Sequence, residues 1–194
     1  MDEKEQQLVR RAQAGDFDAF TELIAAHRTR LYNLALKMTG SQLDAEDIVQ
    51  DTFLKAIDRI DQFRGEAAFG TWLYAITLNE TRMALAREKR ADLRPIEDYL
   101  PAHDRDHGGP TVYDWRDPHR LLEQGELRTA IDRAIGELPL PYREAFVLRY
   151  IDELPIKEVA ELLGESVAAT KSRVLRARLA VRDRLAKQFE GHNG

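Results

Sequence analysis

The chain has 194 residues, 43% hydrophobic and 32% charged, and no cysteine. That composition suits one ordinary domain or two small ones and excludes disulfides and thiolate metal centres. No stretch approaches the roughly 20 consecutive apolar residues of a membrane span, and the charged N-terminus MDEKEQQLVRR has no signal-peptide core, so no membrane insertion and a cytoplasmic location are expected.

In chain order, residues 5–90 read as one helix after another. Gly15-Asp16 ends the first, with Asp16 a candidate N-cap for the second. A single long apolar-periodic helix is predicted from Phe17 to Met38, stopped by Thr39-Gly40-Ser41 because Gly suits the position after a helix. Asp44 to Ile60 is the next helix, Gln62-Phe63-Arg64-Gly65 a turn, and Phe69 to Arg90 a further helix. No segment alternates with the period of a strand, so the fold class is all-α.

Residues 92–120 break this pattern with prolines, Gly108-Gly109 and dense charge, and read as a linker with room for a short helix near Ile96–Leu100. A second helical block runs from Leu121 to about Phe189, interrupted at Leu138-Pro139-Leu140-Pro141 and at Asp152-Glu153-Leu154-Pro155. The expected organisation is therefore two small helical domains, 1–91 and 121–194, joined by a flexible linker at 92–120.

Charge follows this division. Residues 1–91 carry 13 Lys/Arg against 15 Asp/Glu, residues 92–125 carry 4 against 8, and residues 126–194 carry 12 against 11. From Ser166 to Gln188 there are seven basic residues and a single acid, Asp183. The formal net charge of −5 thus hides a local basic patch of the kind phosphate binding needs.

Within the second block, Pro155 fits the first position of a helix, and Ile156, Val159, Ala160 and Leu163 form an apolar stripe. Gly164 supplies a sharp turn, and a second helix starts near Ser166 or Val167. Its Val167, Thr170, Val174, Ala177, Val181 and Leu185 share one face; Glu165, Ala169, Ser172 and Arg176 lie opposite, flanked by Lys171 and Arg173. Two short helices around a Gly turn, the second with an exposed basic and hydroxyl face, are a helix-turn-helix, whose second helix enters the major groove. The plain alternative is an Arg-rich solvated helix.

In the first block, DAEDIVQDTFLKAI clusters Asp44, Glu46, Asp47 and Asp51. Three readings are open: a metal site, an ordinary solvated face, or a docking surface. A metal needs oxygens converging from several directions, whereas Asp44, Asp47 and Asp51 diverge along one outer helix face. Asp44 also suits the N-cap region of its helix. For docking, Ile48, Phe53, Leu54 and Ile57 would face inward and Asp47, Gln50, Asp51 and Lys55 outward. The five histidines, His27, His103, His107, His119 and His192, show no ligand spacing, so no metal is expected, nor any cofactor or small-molecule substrate.

The stretches DAEDIVQDTFLKA (44–56), FRGEAAFGTWLYAITLNETRMAL (63–85) and ELPIKEVAELLGESVAATKSRVLRARLAVRDRL (153–185) together make the chain resemble a bacterial sigma factor of the extracytoplasmic-function group in the sigma-70 family, of the sigma-E type. The resemblance covers nearly the whole chain outside the linker and the termini. It implies a subunit that binds the clamp and flap of core RNA polymerase and confers promoter specificity, with residues 1–91 meeting the −10 element and the clamp and residues 121–194 meeting the −35 element. It implies core-polymerase binding through Asp44, Asp47, Gln50 and Asp51. The loop Gln62–Ala68 would capture a flipped base, with Phe63 and Arg64 exposed for that role, Asn79 lining the pocket and Arg82 on phosphates. Lys171, Ser172, Arg173 and Arg176 would face the −35 element, with Arg149 and Lys157 on its phosphates. Members of this group are commonly held inactive by an anti-sigma factor, for which outward apolar residues such as Leu179 would be suited. The competing readings are an autonomous helix-turn-helix regulator and, more distantly, a metal-dependent enzyme; no P-loop, glycine fingerprint or nucleophile–base pair favours the latter.

Overall fold

The computed structural model describes residues 3–87 and 125–190, which form helices joined by short turns and loops, with no strand among them. The expected linker at 92–120, its short helix near Ile96–Leu100 and the start of the second block at Leu121 lie outside the described residues. The chain divides into two compact units, Met1–Ala91 and Asp92–Gly194.

In the first unit, α1 (Glu3–Gln13) has acids in its first turn and Arg10 and Arg11 in its last, the order that complements a helix dipole, and it buries Leu8, Val9 and Ala12. Gly15 takes a left-handed φ of 89°, and the Asp16 carboxylate then caps α2 (Phe17–Ala25) by accepting the Ala19 N–H at 3.0 Å. The single helix expected from Phe17 to Met38 is instead two, α2 and α3 (Arg28–Thr39). The break at Ala26-His27 has no Gly or Pro behind it; its cause is tertiary. The His27 ring lies 3.4 Å from Glu5 and 5.8 Å from the Phe69 ring centroid, over Gly70, where a Cβ would sit 3.0 Å from the imidazole. The bend lets Phe20 and Leu23 of α2 and Leu31, Leu34, Ala35 and Met38 of α3 all be buried.

Gly40 ends α3 in the left-handed region, donating to the Leu36 carbonyl at 2.8 Å. Ser41, not Asp44, is the N-cap of α4 (Gln42–Arg59): its hydroxyl accepts the Asp44 N–H, and Asp44 occupies the first turn. The inner stripe of α4 is Ala45, Ile48, Val49, Thr52 and Ala56. Phe53 and Ile57 are only half-buried and Leu54 is exposed, against expectation; Leu54 stands two residues, about 200°, past Thr52 on the helix. A 3₁₀ turn (Ile60–Gln62) leads toward α5 (Phe69–Arg87). Small residues bring α4 and α5 close, and the buried hydroxyls between them are satisfied. Thr52, Thr77 and Thr81 each donate to a carbonyl one turn back, at 2.7, 2.9 and 2.8 Å, and Thr52 also meets Thr77 at 3.3 Å.

In the second unit, α6 (Gly125–Gly136) buries Leu127, Ala130, Ile131, Ala134 and Ile135. The Arg143 guanidinium donates to the carbonyls of Gly136 and Leu138, satisfying the end of α6. It extends from α7 (Leu140–Phe146), whose first turn contains Pro141. The helix continues into a wider π-type turn, Val147–Ile151. Pro155 is the N-cap of α8 (Ile156–Leu163), with φ −56° and ψ 143°, rather than its first helical residue. Gly164, at φ 69°, turns the chain and donates back to α8. The Ser166 hydroxyl accepts the Ala169 N–H at 3.2 Å at the start of α9 (Val167–Glu190). Thr170, Val174, Ala177, Val181 and Leu185 are buried as the periodicity predicts, while Val167, at the helix start, is exposed.

Candidate functional site

On α4, Asp47, Gln50 and Asp51 are exposed and Asp44 is half-buried. Asp44, Asp47 and Asp51 line a cleft whose other wall is Glu80, Ala84 and Arg87 of α5. Glu80 is buried, and Lys55 reaches it across the helix pair at 2.5 Å. Among the described residues no group of three or more acids and histidines is arranged to hold a metal ion. Two leucines border the acids: Leu43, unassigned in the sequence and 75% exposed, and Leu54, expected inward and 56% exposed. At 3.6 residues per turn, Leu43, Asp47, Gln50 and Leu54 form one straight outward stripe, apolar at both ends and polar in the middle. Their i, i+4, i+7, i+11 spacing was the signal in the sequence.

The exposed role given to Phe63 is corrected. Phe63 is 7% exposed, edge-on to Phe69 at 5.4 Å and tilted against Trp72 at 5.3 Å. Trp72 is the half-buried member of this aromatic trio. Three rings in mutual contact bury more apolar area than a turn aromatic left in water. The residues after Phe63, Arg64 through Ala68, are exposed, with Gly65 at φ 73°. Asn79 is exposed on α5 and Arg82, one turn further, is half-buried. Trp72, Asn79 and Met83 lie on the same helix face by spacing.

In the second unit the six basic and hydroxyl candidates separate into two groups. Lys157, Lys171, Ser172 and Arg176 are exposed. Arg149 is half-buried, its guanidinium donating to the Leu154 carbonyl at 3.2 Å. Arg173 forms an ion pair with Glu165 in the turn and stacks its guanidinium 5.8 Å over the Tyr142 ring. Arg149 and Arg173 are thus engaged inside the unit: Arg149 holds the segment before α8, and Arg173 ties α9 to the Gly164 turn and to α7. The outward face of α9 begins with Ala168, Ala169 and Ser172, all exposed. Small residues there allow close approach of a backbone, and a hydroxyl and an Arg one turn apart can meet base edges. Leu175, 48% exposed, is the apolar residue left outward beside them; Leu179 is half-buried.

Two family models match the chain: Sigma-70 region 2 over residues 23–91 and Sigma-70 region 4 over residues 128–181. The chain is 35% identical over 182 residues to the ECF RNA polymerase sigma factor SigW of Bacillus subtilis, covering 91% of this chain and 94% of the relative. It is 34% identical over 177 residues to the ECF RNA polymerase sigma-E factor of Escherichia coli, covering 91% and 92%. Among solved structures, CnrH in complex with the cytosolic domain of CnrY superposes with a TM-score of 0.68 at 28% identity, over 95% of this chain and 99% of that one. The sigma factor RpoE of Bartonella quintana, solved with the anti-sigma factor NepR, shares the fold at a TM-score of 0.61 and 24% identity, over 86% and 96%. The protein belongs to the ECF RNA polymerase sigma factors.

Proposed function

We propose that the unit Met1–Ala91 docks on core RNA polymerase through the outer stripe of α4 and meets the −10 element with the loop after Phe63 and with α5, while α9 reads the −35 element. The observation that carries this reading is the stripe Leu43–Asp47–Gln50–Leu54, flanked by Asp44 and Asp51. Acids on such a face orient a basic partner helix and speed encounter, and the two leucines prolong the contact. A regulator that acted alone on DNA would need no such surface. The second unit contributes Ser172 and Arg176 to base edges and Lys157 and Lys171 to phosphates. Arg149 then supports the segment leading into α8, and Arg173 the turn at Gly164. The partners put the protein's work in the cytoplasm, and no described helix is long and apolar enough to cross a membrane. The similarity to CnrH, solved with a protein partner, and the outward Leu43, Leu54 and Leu175 support control by an anti-sigma factor, in a stress or envelope response.

The test is transcription in vitro from genomic fragments with purified core polymerase, comparing wild type with the Asp47→Arg/Asp51→Arg pair. Wild type should start transcripts at a defined set of promoters. The pair should lose core binding in a pull-down while its melting curve stays within about 0.5 kcal/mol of wild type, as exposed charges allow. Undiminished core binding by the pair would remove the docking assignment. Specific duplex binding by the free protein at a palindromic site, with no core-dependent transcription, would instead make it an autonomous helix-turn-helix regulator.

A further inference from the structure

Gln13, the last residue of α1, is remote from every surface described above in sequence, yet its side chain crosses to the root of the 64–68 loop. Its amide nitrogen donates to the Ile60 carbonyl at 3.0 Å and to the Phe63 carbonyl at 2.9 Å. A side-chain amide nitrogen carries two hydrogens, so these two bonds use both. Ile60 also accepts the Phe63 N–H at 3.1 Å, closing the 3₁₀ turn. Phe63 is where the chain leaves helical geometry, at φ −72° and ψ 111°.

Phe63 is therefore held from two sides. Gln13 fixes its carbonyl, and Phe69 and Trp72 fix its ring. The exposed run Arg64–Ala68 starts from this anchor, and at its other end the Ala68 carbonyl accepts the Trp72 N–H at 3.1 Å. Five residues tethered at both ends have few conformations left to lose when they close on a ligand. We propose that Gln13 is a positioning residue for capture of a −10 base: it sets the start of the loop that reads that base. This rests on the reading that the loop meets the −10 element. The residue type follows from the geometry. Glu offers no hydrogen to either carbonyl, Asn is one methylene too short, and Lys would bring a charge. The strut also comes from outside residues 23–91, which match the region 2 family model.

The experiment uses the full chain with core polymerase and a promoter library randomised across the −10 element, read by open-complex formation. Arg64→Ala identifies the positions that the loop reads. Gln13→Met and Gln13→Glu are near-isosteric and both remove the donors, so either one carries the test should the other fail to fold. Discrimination at the Arg64-sensitive positions should fall about tenfold in both, the scale of one part-buried carbonyl, that of Phe63, losing its partner while Ile60 keeps the Phe63 N–H, and further for Glu, whose oxygens face those carbonyls. Core affinity and −35 preference should stay at wild-type values. The proposal is overturned if the Gln13 variants keep wild-type discrimination at those positions, or if they slow all promoters equally in step with a lowered melting temperature. Should Arg64→Ala alter no −10 position while transcription remains core-dependent, the loop reading fails, and the role of Gln13 with it.

Discussion

Replacing Lys55 by Met tests what holds α4 in place. The Lys55–Glu80 pair joins α4 to α5 at 2.5 Å, with the Glu80 side chain 5% exposed and that of Lys55 35% exposed. Met keeps most of the apolar stem of Lys and removes the charge. Glu80 would be left facing the cleft it shares with Asp44, Asp47 and Asp51. Breaking a buried pair from one side costs about 3–5 kcal/mol; because water reaches and screens Lys55, a smaller cost of about 2–3 kcal/mol applies here. In a unit of this size each kcal/mol moves the melting temperature by about 4–8 °C, so a fall of about 10–20 °C is expected. The double variant Lys55→Met/Glu80→Met should recover most of it, since an apolar pair of similar volume leaves no carboxylate stranded. Circular-dichroism melts of the three proteins provide the assay, with a core pull-down at a temperature where all are folded. A single variant melting within about 2 °C of wild type, inside the range of an ordinary surface change, would show that the pair contributes nothing. A double variant no better than the single would show that Lys55 acts through something other than Glu80.

In the second unit, Arg176→Ala should cost about 1–3 kcal/mol and relax preference at one −35 position, whereas Lys157→Ala should weaken every sequence alike and reduce the salt slope by about one; holoenzyme binding to a promoter library at two salt concentrations separates them. Arg173→Ala should lower the melting temperature and weaken all −35 sequences together, because its partners are Glu165 and Tyr142; a change confined to one base position would return it to the group of reading residues. At Asp16, the Ala19 amide and then Arg11 hold the carboxyl below its ordinary 3.8. Its ionised form therefore contributes stability in full above about pH 4 and loses it as pH falls through the folded pKa. Asp16→Asn should melt lower than wild type at pH 6, and the gap should close under acid; a gap that widened under acid would refute the sign.

What the sequence made legible was local. Asp16 as a cap, Gly40 and Gly164 as left-handed stops, and the buried face of α9 each follow from a few neighbouring residues. The places where expectation and structure part are set from a distance. The break at His27 depends on Glu5, Phe69 and Gly70, and nothing within Phe17–Met38 marks it. Phe63 looked like a turn aromatic in water until Phe69 and Trp72 closed around it. Lys55 read as an outward charge because Glu80 lies 25 residues away, and the partner that Arg173 finds in Tyr142 was hidden because Tyr142 belongs to another helix. Leu43 and Leu54 were available in the sequence, but periodicity was used there to find the core, and an apolar residue on the wrong face was assigned inward.

The wider turn at Val147–Ile151 gives the second unit a phase. It closes with the Asp152 N–H on the Val147 carbonyl at 3.0 Å and the Leu154 N–H on that of Leu148 at 3.0 Å. Each residue advances a regular helix by about 100°, and a π turn is one residue wider than the α-helical turn it replaces. A chain one residue shorter there would keep a continuous helix but leave it pointing about 100° away, carrying Arg149 off the Leu154 carbonyl and redirecting α8, Gly164 and α9 together. Length in this segment is therefore constrained independently of side-chain identity: substitutions at Val147–Ile151 change packing, whereas a single insertion or deletion changes which face of α9 is presented.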